Sequence, residues 1–415
     1  GDLDLNEIAD QAGTTGADMS HNTLSPDILS AREILARLIS FKTVSRNSNL
    51  DLIDWVETYL ASHGVAATRV YDETQTKAAL YAHVGPWVAG GVILSGHSDV
   101  VPVDGQAWTR SPFVLEEEGG KIYGRGACDM KGFLALALAA VPFAKTHPLA
   151  RPLQIAISYD EEVGCIGVRP MIAEMAQHLP RAAAVVVGEP SMMRMVNGHK
   201  GGIGFAVHVQ GYEVHSSLLD RGVNAIMRAA PLIDWANHIN AQNAAQAPSA
   251  LVAMFDPPYT TAHVGVISGG TAHNITAKDC HFGFDFRVVP GETPAQWVAA
   301  LNAKVATLRV PMQALRPETD IILTQRFDVP PLTPEQGGAA EALVRRLTGD
   351  NGVAVVSYGT EAGQFQEMGY STVVCGPGDI AQAHQPDEFI LSSQFDAGWT
   401  FMMRLLDDLA QPAPV

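Results

Sequence analysis

Hydrophobic positions in the first half of the chain alternate between helical spacing and short continuous runs. From Ser25 to His63 apolar residues recur every three or four positions, which predicts two helices, the first starting at Ser25 and Pro26 and the second over 49–63. Continuous β-prone runs follow at 78–84, 91–95, 153–158 and 183–187, and a longer apolar run at 133–144 is typical of a buried helix. Apolar strands separated by helices are typical of parallel sheets covered on both faces. The pattern therefore predicts an α/β domain with a central, mostly parallel sheet.

The pattern changes near residue 198 and changes back near residue 328. Between them it predicts a strand, a helix, two strands, a helix and a strand, at 204–209, 224–240, 262–268, 280–288, 293–308 and 321–326. This order is that of a ferredoxin-like α+β domain. Helices at 334–347 and 392–409, with strands at 353–358 and 372–375, then resume the α/β alternation. We expect a discontinuous catalytic domain over 25–197 and 328–415, interrupted by a smaller domain over 198–327, with residues 1–24 a disordered extension or leader.

Composition excludes several classes of partner. The 415 residues carry a formal net charge of −17, which argues against nucleic acid or an anionic membrane because both select clustered Lys and Arg. The four cysteines are widely spaced, so neither a disulfide framework nor a zinc–thiolate site is suggested, and a cytoplasmic location fits best. The run at 133–144 is too short to span a bilayer.

Candidate metal ligands follow several of the predicted strands. His97 follows the run at 91–95, the acidic triplet at 160–162 follows 153–158, and Glu189 follows 183–187. Asp129 precedes the apolar helix, and His384 follows the run at 372–375. Each has an ordinary explanation: His97 as a polar strand end, Asp129 as a helix cap, the acidic triplet as a solvated helix start, Glu189 as an ion-pair partner and His384 as a loop histidine. Ligands collect beyond the carboxyl ends of parallel strands, however, so we expect these side chains to converge.

The residue types indicate hydrolytic chemistry. Two imidazoles and three carboxylates without a thiolate suit a two-metal zinc or cobalt site better than a structural zinc. Glu161 and Glu162 are adjacent, so one can coordinate while the other acts as a general base. Asp99 lies two residues after His97, on the same side of an extended segment, and can orient its ring. Dinucleotide, phosphate-loop and serine-nucleophile motifs are missing from the sequence. The set points to hydrolysis of an amide or ester.

The chain resembles the M20 family of dinuclear zinc metallopeptidases and amidohydrolases. The resemblance rests on Ser95-Gly-His-Ser-Asp-Val-Val-Pro102, the segments 124–132, 160–162 and 188–191, and Gly376-Pro-Gly-Asp-Ile-Ala-Gln-Ala-His-Gln-Pro-Asp-Glu388. It implies that His97, Asp129 and Glu189 hold one zinc ion and that Asp129, Glu162 and His384 hold the other, with Co²⁺ as a possible substitute. It also implies that Glu161 is the general base and Asp99 the partner of His97.

The resemblance extends to the inserted domain, which looks like the lid and dimerisation domain of the family. It implies that His215 stabilises the developing oxyanion, often across the interface of a homodimer. By the same resemblance, Asn274 and Arg287 would bind carboxylate and carbonyl groups of the substrate. From the residues alone, a mid-chain histidine is more often structural and Arg287 is equally well a surface ion-pair partner.

Within the family, the segment that contains Gly359, Thr360 and Glu361 resembles the acetylornithine branch. This implies cleavage of the acetyl amide of N2-acetyl-L-ornithine in arginine biosynthesis. A separate hypothesis is that Glu361, which no other motif accounts for, accepts the ornithine ammonium. Succinyl-diaminopimelate desuccinylase, or another N-acyl-amino-acid amidohydrolase or carboxypeptidase, is the alternative. The substrate in each case is a small N-acyl amino acid.

Overall fold

The computed structural model describes residues 28–414. The predicted extension 1–24 and the predicted helix start at Ser25 and Pro26 lie outside this range. The first described helix begins at Ala31 and is capped by Ser30, whose side chain accepts the Glu33 N–H while the Glu33 carboxylate accepts the Ser30 N–H. This reciprocal capping satisfies N–H groups that have no partner within the helix.

Within the described residues the chain forms nine α-helices: α1 (Ala31–Ser40), α2 (Leu50–Ser62), α3 (Lys131–Thr146), α4 (Val168–His178), α5 (Ala225–Ala245), α6 (Pro294–Leu315), α7 (Ala339–Thr348), α8 (Ala362–Glu367) and α9 (Ser392–Leu409). Short 3-10 helices lie at Ser216–Arg221 and Ile380–Gln382. None of these described helices is long and apolar enough to cross a membrane.

The same range forms sixteen strands: β1 (Ala67–Tyr71), β2 (Ala78–Val84), β3 (Val92–His97), β4 (Glu116–Glu118), β5 (Lys121–Tyr123), β6 (Leu153–Ser158), β7 (Ala184–Val187), β8 (Val196–His199), β9 (Gly201–Gln210), β10 (Thr261–His263), β11 (Ile267–Gly269), β12 (Asp279–Val288), β13 (Asp320–Val329), β14 (Ala354–Val356), β15 (Thr372–Val374) and β16 (Phe389–Leu391). The run predicted as one strand at 262–268 is divided between β10 and β11.

An eight-stranded sheet forms the centre of the larger part of the fold. Its order is β1-β2-β6-β3-β7-β15-β8-β14, and the four middle strands β6, β3, β7 and β15 are mutually parallel. Helices α1, α2, α3, α7 and α9 pack on one face, and α4 and α8 pack on the other. Helix α3 is buried along almost its whole length, because it lies between the sheet and α9. The predicted α/β class with a mostly parallel central sheet is confirmed.

A second sheet is separate from the first. Its order is β10-β12-β9-β13, with β11 also paired to β12, and all its pairings are antiparallel. Helices α5 and α6 pack on one face through a core that includes Phe284 and Phe286. The chain passes from the large sheet to this sheet through Lys200 alone, since β8 ends at His199 and β9 begins at Gly201. We call the unit formed by β9 to β13 with α5 and α6 the lid.

A small sheet, β16-β5-β4, has no counterpart in the sequence prediction. Its pairing of β5 with β16 joins Tyr123 to Phe389. Because of this pairing, the segment just before Asp129 lies beside the segment just after His384.

Candidate metal centre

The sequence-predicted ligands meet at one edge of the large sheet. His97 is the last residue of β3, Glu161 and Glu162 follow β6, and Glu189 follows β7. These three strands are parallel neighbours, so their carboxyl ends lie side by side. His384 arrives from the loop after β15, the next parallel strand.

Asp129 lies between the two imidazoles. Its Oδ1 atom is 3.0 Å from His97 Nε2, and its Oδ2 atom is 3.0 Å from His384 Nε2. Its side chain is almost fully buried. Each carboxylate oxygen therefore faces a different histidine, the arrangement expected of a residue that bridges two cations.

The glutamates complete two groups of ligand atoms around this bridge. His97 Nε2 lies 3.2 Å from Glu189 Oε1 and 3.4 Å from Glu161 Oε2, while His384 Nε2 lies 3.1 Å from Glu162 Oε1. Glu161 and Glu189 are thus similarly placed around His97. Their different roles, base and ligand, stay predictions.

Asp99 supports this cluster in a way that differs from the expected one. The nearest acceptor to His97 Nδ1 is the main-chain oxygen of Asp99 at 2.8 Å, and the carboxylate is farther away at 3.4 Å. The carboxylate instead accepts the main-chain N–H groups of Glu161 and Glu162 at 3.1 and 3.2 Å, and the Ser45 hydroxyl at 2.5 Å. Asp99 therefore orients the histidine through its backbone and holds the glutamate loop through its side chain.

The electrostatics of the cluster show an excess of buried negative charge. Burial and the charge of Asp129 raise the pKa of Glu162 to about 8 and that of Glu189 to about 7. Burial and the charge of Glu189 raise the pKa of Glu161 well above its ordinary value. Hydrogen bonds to Asp129 and Glu162 raise the pKa of His384 to about 10. Carboxylates packed this closely repel one another unless cations separate them.

The chain's own residues fit divalent metal ions. Ligand atoms of His97, Glu161 and Glu189 lie within 4.8 Å of one another, as do those of His97, Asp129 and Glu162. The Glu189 Oε1 atom is buried and makes no hydrogen bond with any other residue in the range 28–414. Nitrogen and carboxylate donors without thiolate suit Zn²⁺ or Co²⁺.

Glu388 is a supporting residue that sequence reasoning did not single out. Its Oε2 atom accepts the main-chain N–H groups of Gly126, Cys128 and Asp129 at 3.0–3.1 Å, and its Oε1 atom accepts from Arg125 at 3.0 Å. Both side chains of this ion pair are buried. Glu388 therefore fixes the loop that presents Asp129. Its position at the end of the motif that contains His384 was the available signal.

Of the three predicted lid residues, His215 and Asn274 lie close together, and Arg287 lies at the other end of the lid. His215 is exposed at the start of the 3-10 helix Ser216–Arg221, where its Nδ1 contacts Ser217 Oγ at 2.8 Å, and the Ser216 N–H donates to the Asn274 carbonyl. Arg287 is exposed on β12 opposite Gly202, at the end of the lid next to the large sheet. The metal ligands contact neither His215 nor Asn274 within the described hydrogen bonds and ion pairs.

The predicted substrate residues 359–361 lie immediately before helix α8, with Glu361 at its N-cap position. Thr360 and Glu361 are buried, and Gly359 is partly exposed. Glu361 Oε1 accepts the Ser158 hydroxyl at 2.5 Å, and its Oε2 atom has no hydrogen bond among the residues that the structure describes. Burial raises the pKa of Glu361 to about 8.

Comparisons with known proteins identify relatives of this chain. Residues 93–408 match the model of peptidase family M20/M25/M40. An acetylornithine deacetylase from Myxococcus xanthus is 35% identical over 382 residues, which cover 88% of this chain and 94% of that protein. An M20 family metallo-carboxypeptidase from Sulfolobus solfataricus has a TM-score of 0.75 at 17% identity, covering 92% of this chain and 99% of its own. A dinuclear metal-binding M20 peptidase from Bacillus subtilis has a TM-score of 0.60 at 14% identity, covering 91% and 97%. The two solved structures share the fold of this chain.

Proposed function

Because the chain belongs to the M20/M25/M40 peptidase family, whose members are metal-dependent hydrolases, we propose that it hydrolyses the acetyl amide of N2-acetyl-L-ornithine to acetate and L-ornithine. The observation that carries the proposal is the Asp129-bridged pair of imidazoles at the strand ends, in a chain 35% identical to an acetylornithine deacetylase. The reaction would serve arginine biosynthesis in the cytoplasm, a location that the four free, buried cysteines favour.

We assign two Zn²⁺ ions per subunit to this centre, with Co²⁺ as a possible substitute. His97, Asp129 and Glu189 would hold one ion, and Asp129, Glu162 and His384 the other. Bound divalent ions of this kind lower the pKa of water and polarise a carbonyl. They would also neutralise the carboxylates that repel one another in the cluster.

Glu161 is the proposed general base. It is nine-tenths buried, and its main-chain N–H is fixed by Asp99. Burial and the charge of Glu189 raise its pKa, which makes its carboxylate a better proton acceptor than an exposed glutamate. It would take a proton from the attacking water and return it to the leaving amine.

The lid residues support a homodimer in which two subunits complete each site. Strand β9 has ten residues, so the end of the lid near His215 and Asn274 lies roughly 30 Å from the end near Arg287. The Arg287 end adjoins the large sheet of the same chain, because Arg287 pairs with Gly202 and β9 begins two residues after β8 ends. We propose that Arg287 binds the substrate carboxylate in its own subunit and that His215 and Asn274 reach the metal centre of a second copy.

Exposed apolar side chains on the lid favour the same dimer. They lie on the 3-10 helix, on the start of α5 and around the edge strand β11, and are Leu218, Leu219, Ile226, Met227, Val266 and Ile267. Apolar residues clustered on one surface typically mark an interface.

Glu361 is the proposed acceptor of the ornithine side-chain ammonium, with Gly359 and Thr360 lining the substrate. Its Oε2 atom is the one polar atom of this side chain that lacks a partner in the described residues. An ammonium placed against it would hold the carboxyl group in its charged form despite burial.

Glu161→Gln tests the reaction. Metal content should stay at the wild-type value, and kcat for acetylornithine should fall by about 10² to 10⁴, the usual contribution of a general base. Asp160→Asn is a matched control, because Asp160 precedes the base and pairs with Lys77 instead. Near-normal turnover in Glu161→Gln would contradict the assignment.

A substrate panel tests the specificity. Acetylornithine should be preferred over succinyl-diaminopimelate and over dipeptides, and a preference for either of those would support the alternative. In Glu361→Gln, kcat/KM should fall more for acetylornithine than for acetylnorvaline, which lacks the ammonium. An unchanged ratio would remove Glu361 from the pocket.

A further inference from the structure

A second cluster of metal-ligand side chains lies on the lid, outside the centre described above. His208 on β9 is directly opposite His281 on β12, and Asp279 lies two residues before His281 on the same strand. Successive side chains of a strand point to opposite faces, and Val207, Val209, Cys280 and Phe282 point into the helix-covered core. His208, Asp279 and His281 therefore share the open face of the sheet.

The three side chains are close enough to bind one ion. His208 Nε2 lies 2.7 Å from Asp279 Oδ1, and the two imidazole rings are stacked with centroids 4.0 Å apart. One ligand atom from each residue lies within 4.8 Å of the others. Ligand atoms around a tetrahedral zinc ion are about 3.3 Å apart, given Zn–N distances of about 2.0–2.1 Å. Small side-chain rotations would bring the ligand atoms from within 4.8 Å of one another to the spacing of about 3.3 Å that zinc requires. His208 and Asp279 are partly exposed, so there is room for these rotations.

We propose that His208, Asp279 and His281 bind a divalent transition-metal ion, at a third site separate from the two-metal centre. Two imidazoles and one carboxylate select Zn²⁺, Ni²⁺ or Cu²⁺ over Mg²⁺ or Ca²⁺, which prefer oxygen ligands. Water would fill the remaining coordination positions. The ion would tie β9 to β12 on the face that α5 and α6 leave open.

A neighbouring pair on the same sheet provides the comparison. His263 Nδ1 lies 3.1 Å from Asp285 Oδ1, again between paired strands, but it forms part of no three-residue ligand group in the described chain. A single imidazole with one carboxylate binds transition metals weakly, so His263 should not contribute. His263→Gln is therefore a control with the same chemical change on the same surface.

The test is the zinc content of the full-length protein. Wild type, His208→Gln, His281→Gln and His263→Gln are each dialysed against a fixed concentration of free Zn²⁺, and bound zinc per chain is measured by mass spectrometry. We expect His208→Gln and His281→Gln to bind one equivalent less than wild type and His263→Gln to bind the same amount. Because the proposed site lies outside the two-metal centre, hydrolytic activity should match wild type in all three variants. Thermal melting should match wild type once zinc has been removed, since only the bound ion adds stability.

Two results would overturn the proposal. One is equal zinc content in wild type and in both His208→Gln and His281→Gln. The other is an equal loss in His263→Gln, which would indicate unspecific binding to surface histidines. If either variant shows no cooperative thermal transition, Asp279→Asn replaces it in the zinc measurement. That change keeps the side-chain volume and removes only the charge of a ligand.

Discussion

Replacing Glu388 with glutamine should weaken both the fold and the metal centre. The carboxylate accepts three main-chain N–H groups from the loop that ends at Asp129, and it pairs with the buried guanidinium of Arg125. An amide in this position has a single oxygen acceptor. It cannot satisfy both the loop and Arg125, and its NH₂ group would face another donor.

The expected cost follows from the burial of both partners. Removing one charge of a buried ion pair costs about 3–5 kcal/mol, because the other charge is left without compensation. Burial and the negative charge of Asp129 raise the pKa of Glu388 despite Arg125, so the pair already bears a desolvation penalty. We therefore expect a loss near the lower limit, about 3 kcal/mol, from a total of about 5–15 kcal/mol typical of folded proteins. Zinc affinity should also fall by about 10- to 100-fold, as is usual when a residue that orients a ligand is changed.

Urea unfolding and competition with a zinc chelator measure the two effects. Asp387→Asn is the matched control, because its partly exposed carboxylate belongs to no buried ion pair in the described chain and accepts the Thr109 N–H and hydroxyl, at 2.9 and 2.6 Å. Its cost should be below about 1 kcal/mol. If Glu388→Gln destabilised the protein no more than Asp387→Asn, the role of Glu388 as an anchor would be refuted.

Three further outcomes are expected. Burial lowers the pKa of His199 to about 4, below the ordinary histidine value of about 6.5, so the unfolded chain binds more protons than the folded protein between these pH values. The stabilisation from His199 is therefore complete above pH 6.5 and is lost as the pH falls from 6.5 to 4. Urea unfolding should show that the free energy of unfolding of wild type falls by about 3 kcal/mol more than that of His199→Phe over this range, and parallel curves would contradict the prediction. Gly188→Ala would place Cβ about 2.1 Å from a ring carbon of Phe133 and should cost about 1–3 kcal/mol, whereas Gly283→Ala meets no atom within 4 Å and should cost far less; equal melting temperatures would refute this. Chelation of bound zinc should lower the melting temperature, since an ion at a thousandfold excess over its Kd stabilises by about 4 kcal/mol, and an unchanged melting curve would argue against a metal centre.

The convergence of the candidate ligands was largely predictable, because they lie at or after the ends of strands that the apolar pattern identifies. His97 ends β3, while Glu162 and Glu189 lie in the loops after β6 and β7, and parallel strands bring their carboxyl ends to one edge. The supporting contacts were less predictable. The actual acceptors around Asp99 and the anchoring role of Glu388 depend on which main-chain groups the loops present, and loops have no periodic signal.

The amino-acid pattern by itself determined the α/β class, the buried helix α3 and the change of architecture in the middle of the chain. Long apolar or alternating runs carry these features, because burial of each face is a local property of the sequence. Only the tertiary structure decided what depends on pairing between distant segments. The pairing of β5 with β16 sets Asp129 beside His384, and the register of β9 with β12 sets His208 opposite His281. Register arises from packing across the whole sheet, so no single stretch of sequence contains it.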